Sequence, residues 1–331
     1  MTSLLSTVRA QPTAVDTLRR ALAADRVHHA YLFDGADGVG KERAALGLAQ
    51  ALVCERRAAG SADACGACRA CVRAVPRPGE RRPLHPDVIV LERGLYDPAT
   101  IGRSSPETQD LSIHQVRALV LARAAFPPIE GRAKVFIVRR AEELNLTAAN
   151  ALLKTLEEPG PRTHFILLSA VADSLLPTIR SRTQRVRFGP LPDDVVTELL
   201  AAQGVENPGA IAALAGGSMA HALLLSDPEA SARREEFVSR ARAALSARDL
   251  GAALELGEEA KKVGKEASMA ELEALAAALG SEARHAAANE DRDADVAAAR
   301  HDLAIAAVRQ LDANASTQLA LEAMFIKMRS A

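Results

Sequence analysis

His29-Ala30-Tyr31-Leu32-Phe33-Asp34-Gly35-Ala36-Asp37-Gly38-Val39-Gly40-Lys41-Glu42 runs from an apolar strand through a glycine-rich turn into a helix. The turn matches G-x-x-x-x-G-K and fails at the last position. Gly35, Gly38 and Gly40 would let backbone N–H groups surround phosphate oxygens, and Lys41 would reach the outer phosphates. The eighth residue should be a Ser or Thr whose hydroxyl ligates Mg²⁺, and here it is Glu42. A carboxylate is longer and sets negative charge against the phosphates. The loop therefore reads either as a cradle that still takes ATP or ADP, or as a relic that takes neither. No Mg²⁺ is expected.

Working outward, four more apolar runs follow at Asp87–Leu91, Lys134–Val138, His164–Ser169 and Gln184–Phe188. Short apolar strands separated by helical segments predict a parallel sheet covered on both faces. Ala149, Leu152, Leu153 and Leu156 recur at i, i+3, i+4 and i+7, a helix that Asn145 can cap and Pro159 stops. Glu92–Ser112, rich in Gly, Pro, Ser and Thr, reads as a surface loop. Gly189-Pro190-Leu191-Pro192 marks a boundary, because prolines cannot continue a ladder. Short helices broken at Gly204, Pro208 and Gly216-Gly217 come next. From Glu229 the chain is Ala-rich and helical, with breaks expected at Gly251 and Gly280. The fold class is α/β. A P-loop-type parallel sheet domain (1–188) precedes a small helical lid domain (189–228) and a C-terminal all-α domain (229–331).

The second half of a nucleotide-hydrolysing site should be a pair of acids after an apolar strand. After Lys134–Val138 come Arg139 and Arg140, with Glu142 and Glu143 displaced beyond them. Guanidiniums cannot ligate Mg²⁺ or polarise an attacking water. Glu142 or Glu143 would have to act from well off station. The strand bearing Arg139 should lie beside the glycine turn. Two readings stay open for Glu42, of which the sequence favours the second: a pairing with Arg139 or Arg140 that fills the metal position with an internal salt bridge, or solvated charges on unrelated loops.

All four cysteines fall at Cys54, Cys65, Cys68 and Cys71, spaced C-x10-C-x2-C-x2-C. Four thiolates at this spacing suit a closed tetrahedral Zn²⁺ site, structural and not catalytic. Iron–sulfur ligation and free or disulfide-linked thiols are the competing readings. His85 reads as a loop residue and not a fifth ligand.

The 331 residues carry a formal net charge of −1, so no global field recruits nucleic acid. Aromatics are 3% and Trp is absent, which argues against a base-stacking platform. No apolar run approaches the roughly 18 residues of a membrane span. The N-terminal segment lacks a signal pattern, so a cytoplasmic chain is expected.

Together these segments resemble the bacterial clamp-loader branch of the AAA+ family. His29 to Gly35 resembles the family entry to the phosphate loop, and a cysteine insertion after the following helix is typical. Asn150-Ala151-Leu152-Leu153-Lys154-Thr155-Leu156-Glu157-Glu158-Pro159 is the most specific stretch. Leu175-Leu176-Pro177-Thr178-Ile179-Arg180-Ser181-Arg182-Thr183 resembles the Ser-Arg-Cys motif, with Thr183 for Cys. The resemblance covers about residues 1–225, and the C-terminal bundle only by length and helical character. It implies a ring of subunits that opens a sliding clamp and places it on primed DNA. It also implies partner motor subunits of gamma/tau type, a delta subunit, and a C-terminal collar. Arg182 matches the arginine that reaches a neighbour's ATP, with Arg180 as the alternative bearer. Motor relatives carry a phosphate-sensing arginine in Gly-Ser-x-Arg, whereas this chain has Gly217-Ser218-Met219-Ala220. Ser169 stands where relatives place a polar sensor, or is a simple strand-end Ser. Loss of the metal acids and the sensing arginine with Arg182 kept implies a subunit that assists hydrolysis and performs none. The rivals are an active gamma/tau-type ATPase and a zinc-bearing scaffold with a vestigial loop.

Overall fold

The apolar runs form one sheet in a computed structural model, described for residues 3–105, 110–247, 249–289, 294–312 and 315–330. Residues 1–2, positions 106–109 of the expected surface loop, and 248, 290–293, 313–314 and 331 of the expected bundle lie outside the described residues. The strands are β1 (Ala30–Asp34), β2 (Val88–Leu91), β3 (Lys134–Val138), β4 (Thr163–Ser169) and β5 (Gln184–Arg187). They pair in the order β2-β3-β4-β1-β5, all parallel, with Leu32 of β1 between Leu167 of β4 and Arg185 of β5.

Side chains alternate across the sheet, as the period of two requires. Tyr31, Phe33, Val135, Ile137, Ile166 and Leu168 face a core completed by α1 (Pro12–Ala23) and α2 (Lys41–Val53). Leu32, Phe136, Val138, Phe165 and Leu167 face the other core. That side is covered by helical turns between 113 and 124, by α4 (Leu146–Glu157, after α3 at Arg69–Arg73), and by Ile179 of α5 (Pro177–Arg180). Phe136 and Phe165 stack with centroids 5.1 Å apart. Such a pair adds about 0.5–1.5 kcal/mol beyond its area burial. The α4 helix starts where Asn145 Oδ1 accepts the Ala148 N–H at 2.9 Å and ends two residues before Pro159.

Two buried charges shape the approach to β3. Lys134 is 2% exposed and donates to the carbonyls of Arg123 (2.7 Å), Phe126 (2.9 Å) and Pro127 (3.2 Å). Burial pulls its pKa below the ordinary lysine value. Asp87, fully buried, accepts the N–H groups of Ile129 (2.7 Å), Glu130 (2.8 Å) and Gly131 (2.8 Å). Burial alone pushes the Asp87 carboxyl up, but the three N–H donors outweigh it and hold it below its usual value. The 123–131 turn is thus tied down from both ends by ionised groups that the core could not otherwise hold.

The chain divides into two compact units, 1–223 and 224–331. After β5 the first contains α6 (Asp193–Ala201) and α7 (Pro208–Leu214), and α8 (Met219–Ser226) begins in it. The second contains α9 (Pro228–Ser246), α10 (Gly251–Val263), α11 (Lys265–Ala288), α12 (Ala294–Asp312) and α13 (Thr317–Ser330). Its core is Phe237, Leu256, Leu272, Leu275, Leu279, Leu311, Leu321, Met324 and Phe325, interleaved with small residues such as Ala241, Ala304 and Ala307. Gly251 opens a helix, but Gly280 does not break one. It lies inside α11, where a Cβ would come within 3.0 Å of His301 Nδ1 on α12. The glycine permits close helix contact, and His301 Nδ1 bonds Ala276 O at 2.8 Å beside it. No helix among the described residues is long and apolar enough to cross a membrane.

The stability conferred by Asp87 should be fully present above the unfolded carboxylate range, near about pH 4, and lost as pH falls through the lower folded value. Asp87→Asn should cost about 2–4 kcal/mol at pH 7 by urea denaturation, since both carboxylate oxygens accept N–H groups and the amide is neutral with an NH2 that cannot accept. The gap from wild type should narrow as pH drops below about 4.

Candidate functional site

The glycine turn sits at the C-terminal end of β1, in the crevice where open α/β sheets place ligands. Gly35 donates its N–H to Ser169 O at 3.2 Å, tying the turn to β4. Gly38 has φ +78°, and a Cβ there would collide with the backbone N of Ala220 and lie 2.8 Å from that of Met219. Gly40, left-handed at φ +103°, is the N-cap of α2. Lys41, 6% exposed, does not project outward. It donates to Gly35 O, to Ala36 O at 2.8 Å and to Asp37 Oδ1 at 3.3 Å. An ammonium has three N–H donors, and each has a partner within the loop itself. Ser218 Oγ donates to Asp37 O at 2.7 Å, and Met219 N–H to Gly38 O at 3.4 Å. The segment carrying Ala220 thereby closes directly onto the turn.

Arg139, just past β3, lies between two carboxylates. It pairs with Glu42 and, at 2.6 Å, with Glu92. Of the two readings the sequence left open for Glu42, the structure shows the pair with Arg139, not the favoured solvated charges, and Glu92 is an additional partner. Arg140 instead pairs with Glu143 (3.4 Å) and Asp37 (3.7 Å). Burial pushes the Glu92 carboxyl up, but Arg139 and Arg81 outweigh it and hold it below the usual range. A cavity of about 500 Å³ is lined by Lys41, Glu42, Glu92, Arg139, Arg140 and Glu142, among others. Glu142 Oε1 accepts the Ala170 N–H at 3.2 Å, and its buried Oε2 has no hydrogen-bond partner among the described residues. Glu143 is drawn into ion pairs with Arg93 (3.2 Å) and Arg140. The cavity's carboxylates Glu42 and Glu92 are thus committed to a guanidinium, a poor arrangement for binding a divalent cation.

Arg182 is not at this cavity. It follows α5 and faces an open cleft of about 610 Å³ lined by His28, His29, Leu156, Glu157, Thr183 and Gln184. The His28 and His29 rings stack with centroids 4.3 Å apart. Arg182 pairs with Glu157, and its Nη1 donates to Thr178 O at 2.9 Å. Arg180 turns to Asp173 at 3.0 Å and is absent from the cleft lining. Ser169, 1% exposed, accepts the Val171 N–H on its Oγ at 3.1 Å, the role of a strand-end serine. Sequence reasoning passed over Glu92, Asp37 and Ser218. Glu92 could have been found, because it directly follows a strand paired with β3 in parallel register. Asp37 and Ser218 lay in stretches already singled out, but their contact with each other carried no signal, since it is set by the chain's return to the turn at residue 218.

The four cysteine sulfurs all lie within 4.8 Å of one another. Tetrahedral Zn²⁺ with Zn–S near 2.3 Å requires sulfurs about 3.8 Å apart, and Cys65 and Cys71 are at 3.8 Å. Cys54 ends α2 and Cys68 caps α3, so two helix termini aim the thiols. Backbone N–H groups of Cys65, Cys68 and Cys71 point at Cys54 Sγ (3.4 Å), Cys65 Sγ (3.3 Å) and Cys68 Sγ (3.4 Å). Donors aimed at sulfur favour thiolate. The N–H groups of Ala67 and Cys68 pull the Cys65 thiol down to about 6, whereas burial pushes Cys71 up. A buried thiol that resists ionisation alone, clustered with three others, fits a cation that supplies the missing positive charge. The donor set is compatible with structural zinc. His85 stays outside it, accepting the Asp87 N–H on Nδ1 at 3.1 Å.

Residues 10–192 match the family model described as DNA polymerase III, delta subunit. The chain is 33% identical over 195 residues to DNA polymerase III subunit delta' of Bacillus subtilis, covering 59% of this chain and 52% of that one. It is 38% identical over 197 residues to subunit delta' of Pseudomonas aeruginosa, covering 57% and 53%. It is also 36% identical over 182 residues to subunit gamma/tau of Mycobacterium tuberculosis, covering 55% and 28%. The matched stretch thus spans about half or less of these curated relatives. A solved gamma subunit-related protein from Thermotoga maritima aligns over 95% of this chain and 98% of that one, with TM-score 0.46 and 19% identity.

Protein purified without chelator should carry one zinc per chain by elemental analysis. Cys68→Ser should lose the metal and lower the melting temperature of the purified chain. A strong chelator should reproduce that drop in wild type and leave the variant unmoved.

Proposed function

Since the chain belongs to the family described as DNA polymerase III, delta subunit, we propose that it is a non-hydrolysing clamp-loader subunit of the delta-prime type. In this reading it works beside gamma/tau-type motor subunits and a delta subunit, and meets the sliding clamp and primed DNA only through the assembly. The carrying observation is Arg139 held between Glu42 and Glu92 at the mouth of a loop whose Lys41 is turned inward. A guanidinium there excludes a divalent cation by charge and occupies its carboxylate partners. Without a metal to bridge its phosphate oxygens and orient the attacking water, a triphosphate in this site would lack the main charge stabilisation of hydrolysis, so in this reading the chain's own site does not hydrolyse.

The chain's contribution would be Arg182, supplied in trans. It lies on an open cleft away from the chain's own loop, as a group destined for another subunit's nucleotide should. A trans guanidinium placed on a transferring phosphoryl group is worth about 10³–10⁵ in rate. The cysteine cluster would stiffen the excursion at 54–71, and the C-terminal helices would join a collar. Leu254, Leu319 and Ile326, 44%, 65% and 48% exposed, leave apolar surface for such packing.

An active gamma/tau-type ATPase is the second reading, favoured by the 36% identity to a gamma/tau subunit. ATP turnover by the purified chain alone separates the two. The isolated chain should show none above background. Arg182→Ala in the reconstituted assembly should cut turnover about 10³-fold at the site it completes, while the subunit still assembles. Turnover by the isolated chain would transfer the case to the second reading.

A further inference from the structure

Glu157 is the last residue of α4, and Arg182 lies two residues beyond the end of α5. One carboxylate oxygen, Glu157 Oε1, accepts from Arg182 Nε at 2.8 Å and from Arg182 Nη2. Nη1 is held separately, by Thr178 O at 2.9 Å and Ser181 Oγ at 3.3 Å. The side chain is therefore gripped at two places of different chemistry. The Nη1 end is anchored to neutral oxygens of Thr178, in α5, and of Ser181, just past its end. The Nε–Nη2 edge, which a guanidinium also presents to phosphate, is occupied by an anion. Both partners are accessible, at 32% and 48% side-chain exposure, on the rim of the cleft that His28 and His29 help line.

On the premise that Arg182 serves a neighbour's nucleotide, we infer that Glu157 is a positioning residue. It is a resident anion that holds the Arg182 fork until a phosphate of that nucleotide replaces it. The neutral anchors at Thr178 and Ser181 keep the arm aimed while the fork exchanges carboxylate for phosphate. Phosphate carries more charge and more acceptor oxygens than a carboxylate, so it wins when present. In its absence Glu157 keeps the guanidinium from pairing elsewhere on the rim. The exchange sets a threshold: the neighbour's ATP must displace an anion before it gains the arginine. The simple alternative is a clasp joining the ends of α4 and α5, which would affect this chain's stability alone.

The test is steady-state ATP turnover of the reconstituted assembly with wild-type chain, Glu157→Gln, Glu157→Ala, Arg182→Ala and the Glu157→Gln/Arg182→Ala double variant. Each chain's melting temperature is measured beside it. Neutralising the carboxylate should lower KM for ATP about two- to fivefold, the scale of one exposed ion pair, with kcat little changed. The alanine variant should move KM in the same direction, so the sign is read twice. The KM shift should vanish in the Arg182→Ala background. Unchanged KM in both Glu157 variants, or a shift that persists without Arg182, would leave only the clasp. In that case a loss of turnover in Arg182→Ala would still support the trans role. If Arg182→Ala itself turned over like wild type, the trans role would fall and this inference with it.

Discussion

At the C-terminal edge of the parallel sheet one guanidinium, Arg139, is held by two carboxylates that arrive from different elements, Glu42 from α2 and Glu92 from the end of β2. Parallel strands all end on the same side, so residues just past β1, β2 and β3 converge whether or not a ligand joins them. Their charges must balance. With Arg139 only 13% exposed, the guanidinium stripped of its partners would be a buried charge without compensation. The three residues therefore form a unit in which no member can be read alone.

The glycine turn obeys the same balance on a smaller scale. Lys41 supplies three donors, and the turn's own oxygens take them. Ser218 and Met219 bind two further turn carbonyls, and Gly38 is small enough to let the backbone at Ala220 approach. A phosphate entering here would have to draw the Lys41 ammonium away from these oxygens. Arg182, away from this cavity, is likewise held by a carboxylate, that of Glu157. Three cations, Lys41, Arg139 and Arg182, are thus each matched internally. This fits a chain with a net charge of −1 whose electrostatics are local.

Away from the sheet edge, ionised and sulfur groups do structural work that apolar packing could not. Asp87 and Lys134 fix the 123–131 turn through backbone N–H and carbonyl groups. The four thiols gather the 54–71 excursion, whose Cys54, Ala64, Cys68, Ala70 and Cys71 join the core on that face of the sheet.

Most of the fold was legible because hydrophobic period and chain punctuation are local. The runs at Ala30, Lys134 and Gln184 begin strands where expected, Asn145 caps its helix, and the C-x10-C-x2-C-x2-C spacing brings the sulfurs together. That Glu42 follows Lys41 and that Arg139 and Arg140 follow β3 was likewise visible in order and type of residue. What the sequence could not rank was partnership. Arg139 rather than Arg140 meets Glu42, because Arg140 adopts a left-handed backbone at φ +46° and pairs with Glu143 and Asp37 instead. Gly280 reads as a breaker until α12 is seen against it, and Glu157 reads as one acid of a motif until Arg182 folds over it. Amino-acid order sets which groups exist and how each segment bends. Only the three-dimensional packing chooses which charges meet, since ion pairing depends on distances between segments far apart in the chain.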